Sequence, residues 1–223
     1  LDLTGTKAQR VFSTLGWEQE YFIIDRKLRD QRIDLMLLGQ TVYGKPSPKG
    51  QDLQDHYFGA VKERVLNYMQ DFEFKALELG IPVKTRHNEV APSQHELACI
   101  YEQASRSVDH NLLTMELMRR VAAHHGLACL LNEKPFQGLN GSGKHNNWSL
   151  ATDTGLNLLD PSDTPENHIQ FIILLTAVLT AVKKHAGLLR ASVGSFSNDA
   201  RLGGHEAPPP IISVYLGPAL ESV

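Results

Sequence analysis

Two pairs of acidic residues stand at spacings that could hold a divalent cation. Glu18 and Glu20 lie in GWEQEYFIID (16–25), a stretch rich in aromatic and β-branched residues that predicts a strand. Residues two apart on a strand share a face, so these carboxylates would stand side by side with apolar neighbours along the strand. Their repulsion asks for a counter-charge, and Mg²⁺ and Mn²⁺ prefer carboxylate oxygens. The second pair is Glu89 and Glu96 in KTRHNEVAPSQHELA (84–98). Pro92 forbids a continuous central strand, so the pattern predicts a strand–turn–strand with both acids at one end of a sheet. Four such carboxylates could bind one or two hard cations. The plainer alternatives are two solvated acids on a strand edge, and a Glu96 that pairs with Arg86 or a nearby lysine.

Two further stretches carry chemistry. In NGSGKHNNWS (140–149), two alternating glycines let the backbone approach a ligand closely, and successive N–H groups could hold phosphate oxygens. His145 follows as a candidate metal ligand through a neutral ring nitrogen. The stretch is not a P-loop, because Lys144 precedes a histidine and an alternating, strand-like run rather than Ser or Thr and a helix. In SNDARLGGHEAPPP (197–210), two glycines and three prolines put Glu206 on a loop with one mobile and one stiff end, as suits a lid. Arg201 could grip a carboxylate through two parallel hydrogen bonds. An ordinary loop with a surface Arg–Glu pair is the alternative. His205 is a neighbour of the lid acid. His87 and His95 flank the acidic pair, and alternation is taken to turn them away from Glu89 and Glu96 respectively. The remaining histidines, His56, His110, His124, His125, His168 and His185, have no ligand context.

The elements that must position these groups alternate along the chain. Strands are expected near 14–24, 82–90, 95–101, 127–131, 145–151 and 211–216, and helices near 56–79, 104–125 and 165–190. Phe58, Val61, Val65, Met69 and Phe72 have helical spacing. Thr164-Pro165 supplies a helix start. The piece 44–50 is a loop rich in proline and glycine, and the methionine-bearing stretch 112–118 reads as core. The pattern gives an α+β class with no domain boundary inside 223 residues. A net charge of −3 with no basic patch argues against nucleic acid as a partner. Two cysteines, Cys99 and Cys129, read as buried free thiols, which suits a reducing cytoplasm. The longest apolar run, 169–182, is shorter than a membrane span and reads as a buried helix rather than a membrane segment. No signal peptide is evident at the start.

Taken together, GWEQEYF (16–22), SPKGQDLQDHYFG (47–59), KTRHNEVAPSQHELA (84–98), DHNLLTMELM (109–118), NEKPFQGLNGSGKHNNWS (132–149), NLLDPSDTP (157–165) and RLGGHEAPPPII (201–212) resemble glutamine synthetase, in its large bacterial type III form. The resemblance implies a curved, largely antiparallel sheet flanked by helices. It also implies ATP-dependent ligation of ammonia to L-glutamate through a γ-glutamyl phosphate. By resemblance, Glu20, Glu89 and Glu96 hold a first cation, while Glu18 and His145 belong to a second. Asn140, Gly141 and Arg201 contact the substrate glutamate. Ser149 and Lys144 are assigned to the nucleotide, and Glu206 to the flap that closes the site and takes a proton from ammonium. Asn147 stands where the shorter type I enzymes usually carry a second histidine. The family's last glutamate ligand, its downstream arginines and its amino-terminal β-grasp domain have no counterpart in residues 1–223. The expectation is therefore a partial catalytic domain, inactive alone, from a homo-oligomer of two stacked hexameric rings. A glutamate–amine ligase of the same superfamily and a non-catalytic scaffold are the competing readings.

Overall fold

The computed structural model describes residues 7–161 and 165–203. Its centre is one long strand, β1 (Val11–Asp25), with five shorter strands arranged around it. These are β2 (Val83–Asn88), β3 (Gln94–Cys99), β4 (Glu102–Gln103), β5 (Leu127–Leu130) and β6 (Lys144–Thr152). Every pairing is antiparallel. On one edge of β1, β4 pairs at Thr14–Leu15 and β3 at Glu18–Phe22, with β2 outside β3. On the other edge, β6 runs along Val11–Gln19 and β5 along Phe22–Asp25, end to end. The expected α+β class with an antiparallel sheet and flanking helices is the one observed.

The period of two divides β1 into faces of different character. Trp17, Tyr21 and Ile23 are buried against α3 (Glu63–Glu78) and α4 (Ala104–His124), through Tyr68, Met69, Phe72, Met118 and Val121. Burying such side chains contributes roughly 1.5–3 kcal/mol each, which fixes the strand's register against the helices. The opposite parity places Glu18 and Glu20 on the other face, beside a small cluster of Phe22, Leu35, Ala91 and Leu130. The helices thus anchor the sheet so that its acidic face is left for chemistry.

His95 belongs to the helical face, as alternation requires, and packs on Tyr21 and His56. Asn88 Nδ2 donates to the carbonyls of His56 and Gly59, leaving its Oδ1 to accept from His95 Nδ1 at 3.0 Å. The Nε2 lone pair finds no protein partner. Burial, with smaller contributions from His56 and His87, pulls the His95 pKa down to about 3. The folded state therefore takes up fewer protons than the unfolded chain. This contribution to stability is present above about pH 6.5 and is lost as pH falls towards 3, at up to about 1.4 kcal/mol per pH unit. Urea midpoints at pH 7 and pH 5 will show His95→Asn losing about 2 kcal/mol less than wild type over that interval. Equal losses would contradict the neutral buried ring.

Several expectations are corrected. The helix expected from 56 begins at Glu63. Residues 56–59 instead form a turn held by Asn88, and Phe58 is 77% exposed. The helix expected over 165–190 breaks at His185 into α5 (Pro165–Lys184) and α6 (Ala186–Val193), bent by 72°. The apolar run on α5 is not buried among the described residues. Ile169, Ile172 and Ile173 are about half exposed, because the one described element packed substantially on α5 is α6. No single described helix is long and apolar enough to cross a membrane. Cys129 is a buried free thiol as expected, whereas Cys99 is only half buried. Three short helices were not expected: α1 (Arg26–Asp30), α2 (Ile33–Leu38) and α7 (Phe196–Arg201). The strand expected at 211–216 lies outside the described residues.

Candidate active site

The register of the sheet assembles the acids. Glu20 lies opposite Glu96 on β3, Glu96 lies opposite His87 on β2, and Glu18 lies opposite His145 on β6. Directly paired residues on one face stand with Cβ atoms about 5 Å apart, so four strands deliver these side chains to one patch. Glu89 follows β2 immediately, where its N–H donates to Gln94 O at 2.9 Å. That bond closes the turn around Pro92 and brings Glu89 back beside Glu96, as strand–turn–strand requires.

Two sets of potential ligand atoms result, each lying within 4.8 Å of one another: Glu18, Glu96 and His145, and His87, Glu89 and Glu96. Glu96 is common to both. Its carboxyl is held above the ordinary carboxylate range by burial first, then by the charges of Glu20 and Glu18, with His145 and a hydrogen bond to Glu89 opposing. Arg86 is not its counter-charge, because Arg86 pairs with Glu73 on α3. His145 Nδ1 lies 3.1 Å from Glu18 Oε2, and Asn147 Nδ2 donates to Glu18 Oε1 at 2.9 Å.

His87 was expected to point away and does the opposite. Positions 87 and 89 share a parity, and 87 is the register partner of Glu96. Its Nε2 lies 2.9 Å from Glu96 Oε2, while Nδ1 donates to Asn88 O at 2.9 Å. That second bond fixes the ring as a metal-bound imidazole is usually fixed. His56 was also thought to lack context. Its Nδ1 donates to Glu89 O at 2.7 Å, so the 51–59 segment supports the acidic site.

Glu20 stands among these acids without joining either set. Its Oε2 accepts from the Gly143 N–H, and the Glu20 N–H donates to Gly143 O at 3.2 Å. Of the trio Glu20, Glu89 and Glu96 expected for one cation, Glu89 and Glu96 fall in one set, where His87 stands with them, and Glu20 accepts from Gly143 instead.

The glycine turn is a platform rather than a phosphate cradle. Three of its N–H groups are engaged: Asn140 N donates to Gln51 Oε1 at 2.6 Å, Ser142 N to Glu133 O at 2.8 Å, and Gly143 N to Glu20. Gln94 Nε2 holds Gly141 O at 2.9 Å. Arg201, the last residue of α7, lies along the turn. A Cβ on Gly141 would fall 2.5 Å from Arg201 Cγ and 2.4 Å from Glu133 O. Close approach is the reason for the glycine, and what approaches is the arginine. Asn140, Gly141 and Arg201 are therefore brought together.

Lys144 does not join them. Alternation places it opposite His145's face, where its ammonium bonds Asn111 and Met115 of α4. Burial lowers its pKa. Lys144, expected beside the nucleotide, is thus engaged with α4 in this structure. Ser149 lines a cavity of about 720 Å³ that also takes in Glu18, Tyr101, Asn147 and Trp148, and its Oγ donates to Asn157 Oδ1 at 2.5 Å. Glu206 and His205 lie outside the described residues.

Residues 3–212 match the family described as glutamine synthetase, catalytic domain, and the chain belongs to that family. Within it the likeness extends to the large type. A type-3 glutamine synthetase of Dictyostelium discoideum is 53% identical over 99% of this chain and 30% of its own length. A glutamine synthetase of Butyrivibrio fibrisolvens is 56% identical over 96% of this chain and 31% of its own length. The chain thus spans about a third of these relatives. Among solved structures, the glutamine synthetase of Plasmodium falciparum superposes with a TM-score of 0.67 at 20% identity, covering 86% of this chain and 40% of that one. An apo GmaS superposes with a TM-score of 0.64 at 23% identity, covering 91% and 43%. At such identities these two speak to the fold alone.

Proposed function

We propose that the polypeptide carrying this chain is an ATP- and divalent-cation-dependent glutamate–ammonia ligase, and that this chain supplies the acidic half of its reaction centre. The observation that carries the reading is Glu96, buried, crowded by carboxylates and shared by two ligand sets. Oxygen donors with an imidazole in each set suit Mg²⁺ or Mn²⁺. Glu18, Glu96 and His145 would hold one ion, and His87, Glu89 and Glu96 a second. Glu20 can turn from Gly143 towards either. Bound ions would neutralise phosphate charge and polarise the transferring group.

The chain's own groups do the rest. Arg201, braced by Asn198 Oδ1 at 2.9 Å, presents its remaining N–H groups at the glycine turn, where a glutamate α-carboxylate can be held. Asn140 and Gly141 position that substrate. The 720 Å³ cavity beside Glu18 is of a size for a nucleotide, and Tyr101 and Trp148 offer it aromatic faces. Phosphorylation by ATP gives the glutamate side chain a leaving group, forming γ-glutamyl phosphate. Ammonium must then lose a proton before it can attack, and Glu206 on the lid is the proposed base. Water exclusion by that lid protects the acyl phosphate.

The deciding assay uses the full-length protein with ATP and glutamate. ADP release should depend on ammonium and on Mg²⁺ or Mn²⁺, and should yield glutamine. Release driven by methylamine rather than ammonium would instead favour the glutamate–amine ligase reading. No release with either would contradict both.

A further inference from the structure

A cleft of about 510 Å³ lies apart from the acidic site, between α1–α2, the end of α4 and strand β5. Arg26, Arg29 and Arg119 line it together with Leu35, Met36 and Cys129. A single carboxylate, Asp30, serves two of the three guanidinium groups, at 3.6 Å from Arg26 Nε and 2.9 Å from Arg29 Nε. Arg119 pairs with no carboxylate among the described residues, and its charge is felt by the buried Cys129 thiol. No acidic side chain lines the cleft. It therefore carries an excess of about two positive charges in a chain whose net charge is −3.

We propose that this cleft binds a small organic anion, with a phosphate or carboxylate group gripped by Arg29 and Arg119 and a short apolar portion lying on Leu35 and Met36. Planar guanidinium groups recognise such oxyanions through paired N–H donors. Three of them line one cleft, and the one acid that pairs with two of them, Asp30, does not line it, which leaves positive charge for a bound anion to neutralise. The volume falls within the range of small-molecule sites. Leu35 and Met36 beside the arginines favour an anion carrying carbon over bare phosphate.

The test is calorimetric titration of the full-length protein with glycerol 3-phosphate and, separately, with succinate. Arg119→Ala, which breaks no ion pair, should weaken the bound probe roughly tenfold or more, as expected for losing a charge-assisted hydrogen bond. Arg119→Lys should recover part of that loss, and Arg119→Ala should keep wild-type kcat. Which probe binds assigns phosphate or carboxylate chemistry. If neither binds at about 10 mM, the cleft is filled by another part of the polypeptide and the proposal is overturned. Binding that survives Arg119→Ala unchanged lies at the reaction centre and overturns it equally.

Discussion

Replacing Glu96 by glutamine will remove divalent-cation binding from both ligand sets at once, while the apoprotein keeps its fold. Glu96 is the one residue common to the two sets, so no other single change reaches both. Burial, and after it the charges of Glu20 and Glu18, makes its carboxylate costly in the cation-free state. A neutral amide of the same shape relieves that repulsion, so the variant should melt in EDTA at or slightly above the wild-type temperature. A cation present at about 100 times its Kd should stabilise the wild type by roughly 2.7 kcal/mol, and this increment should vanish in Glu96→Gln. Activity should fall by about a thousandfold or more, since ions and acids act here as a unit. The same burial and crowding fix a pH dependence. The folded state holds a proton on Glu96 above the pH at which the unfolded chain releases it. Apoprotein stability from this group therefore declines as pH rises through the ordinary carboxylate range, and cation binding strengthens as the proton leaves. A Glu96→Gln protein with the wild-type Mn²⁺ response would remove Glu96 from the account.

Gly141→Ala is the second large effect. The added methyl would sit 2.4 Å from a backbone carbonyl and 2.5 Å from Arg201 Cγ. The carbonyl of Glu133 is itself engaged by Ser142 N, so it cannot yield easily. Arg201 must swing away, at a cost of about 1–3 kcal/mol. The arginine's hold on the substrate carboxylate goes with it, and KM for glutamate should rise roughly tenfold or more with a smaller change in KM for ATP. Equal rises for both substrates would indicate that the turn serves the whole site rather than Arg201. Unchanged kinetics would show that Arg201 does not work from this position.

How far the sequence foretold the structure depended on the range of the signal. β1, α4 and the faces of the sheet were legible because Trp17, Tyr21 and Ile23 alternate with Glu18, Glu20 and Phe22, and such periodicity is local. The acidic pairs and His145 were legible for the same reason, and register then joined them. What could not be read was which acid would meet which. Glu20 is engaged by the Gly143 N–H, a contact spanning more than a hundred positions, and His87 lies beside Glu96. The signal for His87 was present, since residues 87 and 89 share parity. The glycine turn was read as a cradle because its N–H groups have no visible partners in the sequence. Two of those partners, Gln51 and Glu20, lie in distant segments, and the third, Glu133, only nine positions upstream. Helices α1, α2 and α7 are at most six residues long, too short for periodicity, although Asp25 as a cap and Gly39 at φ +68 mark the ends of the first two.

The central claim is that two cations share Glu96. Crystals of the full-length protein grown with Mn²⁺ test it directly through anomalous scattering. The account predicts two peaks, one among Glu18, Glu96 and His145 and the other among His87, Glu89 and Glu96, each at about 2.0–2.4 Å from its donor atoms. A map with Mn²⁺ bound elsewhere, or with no peak touching Glu96, would contradict it.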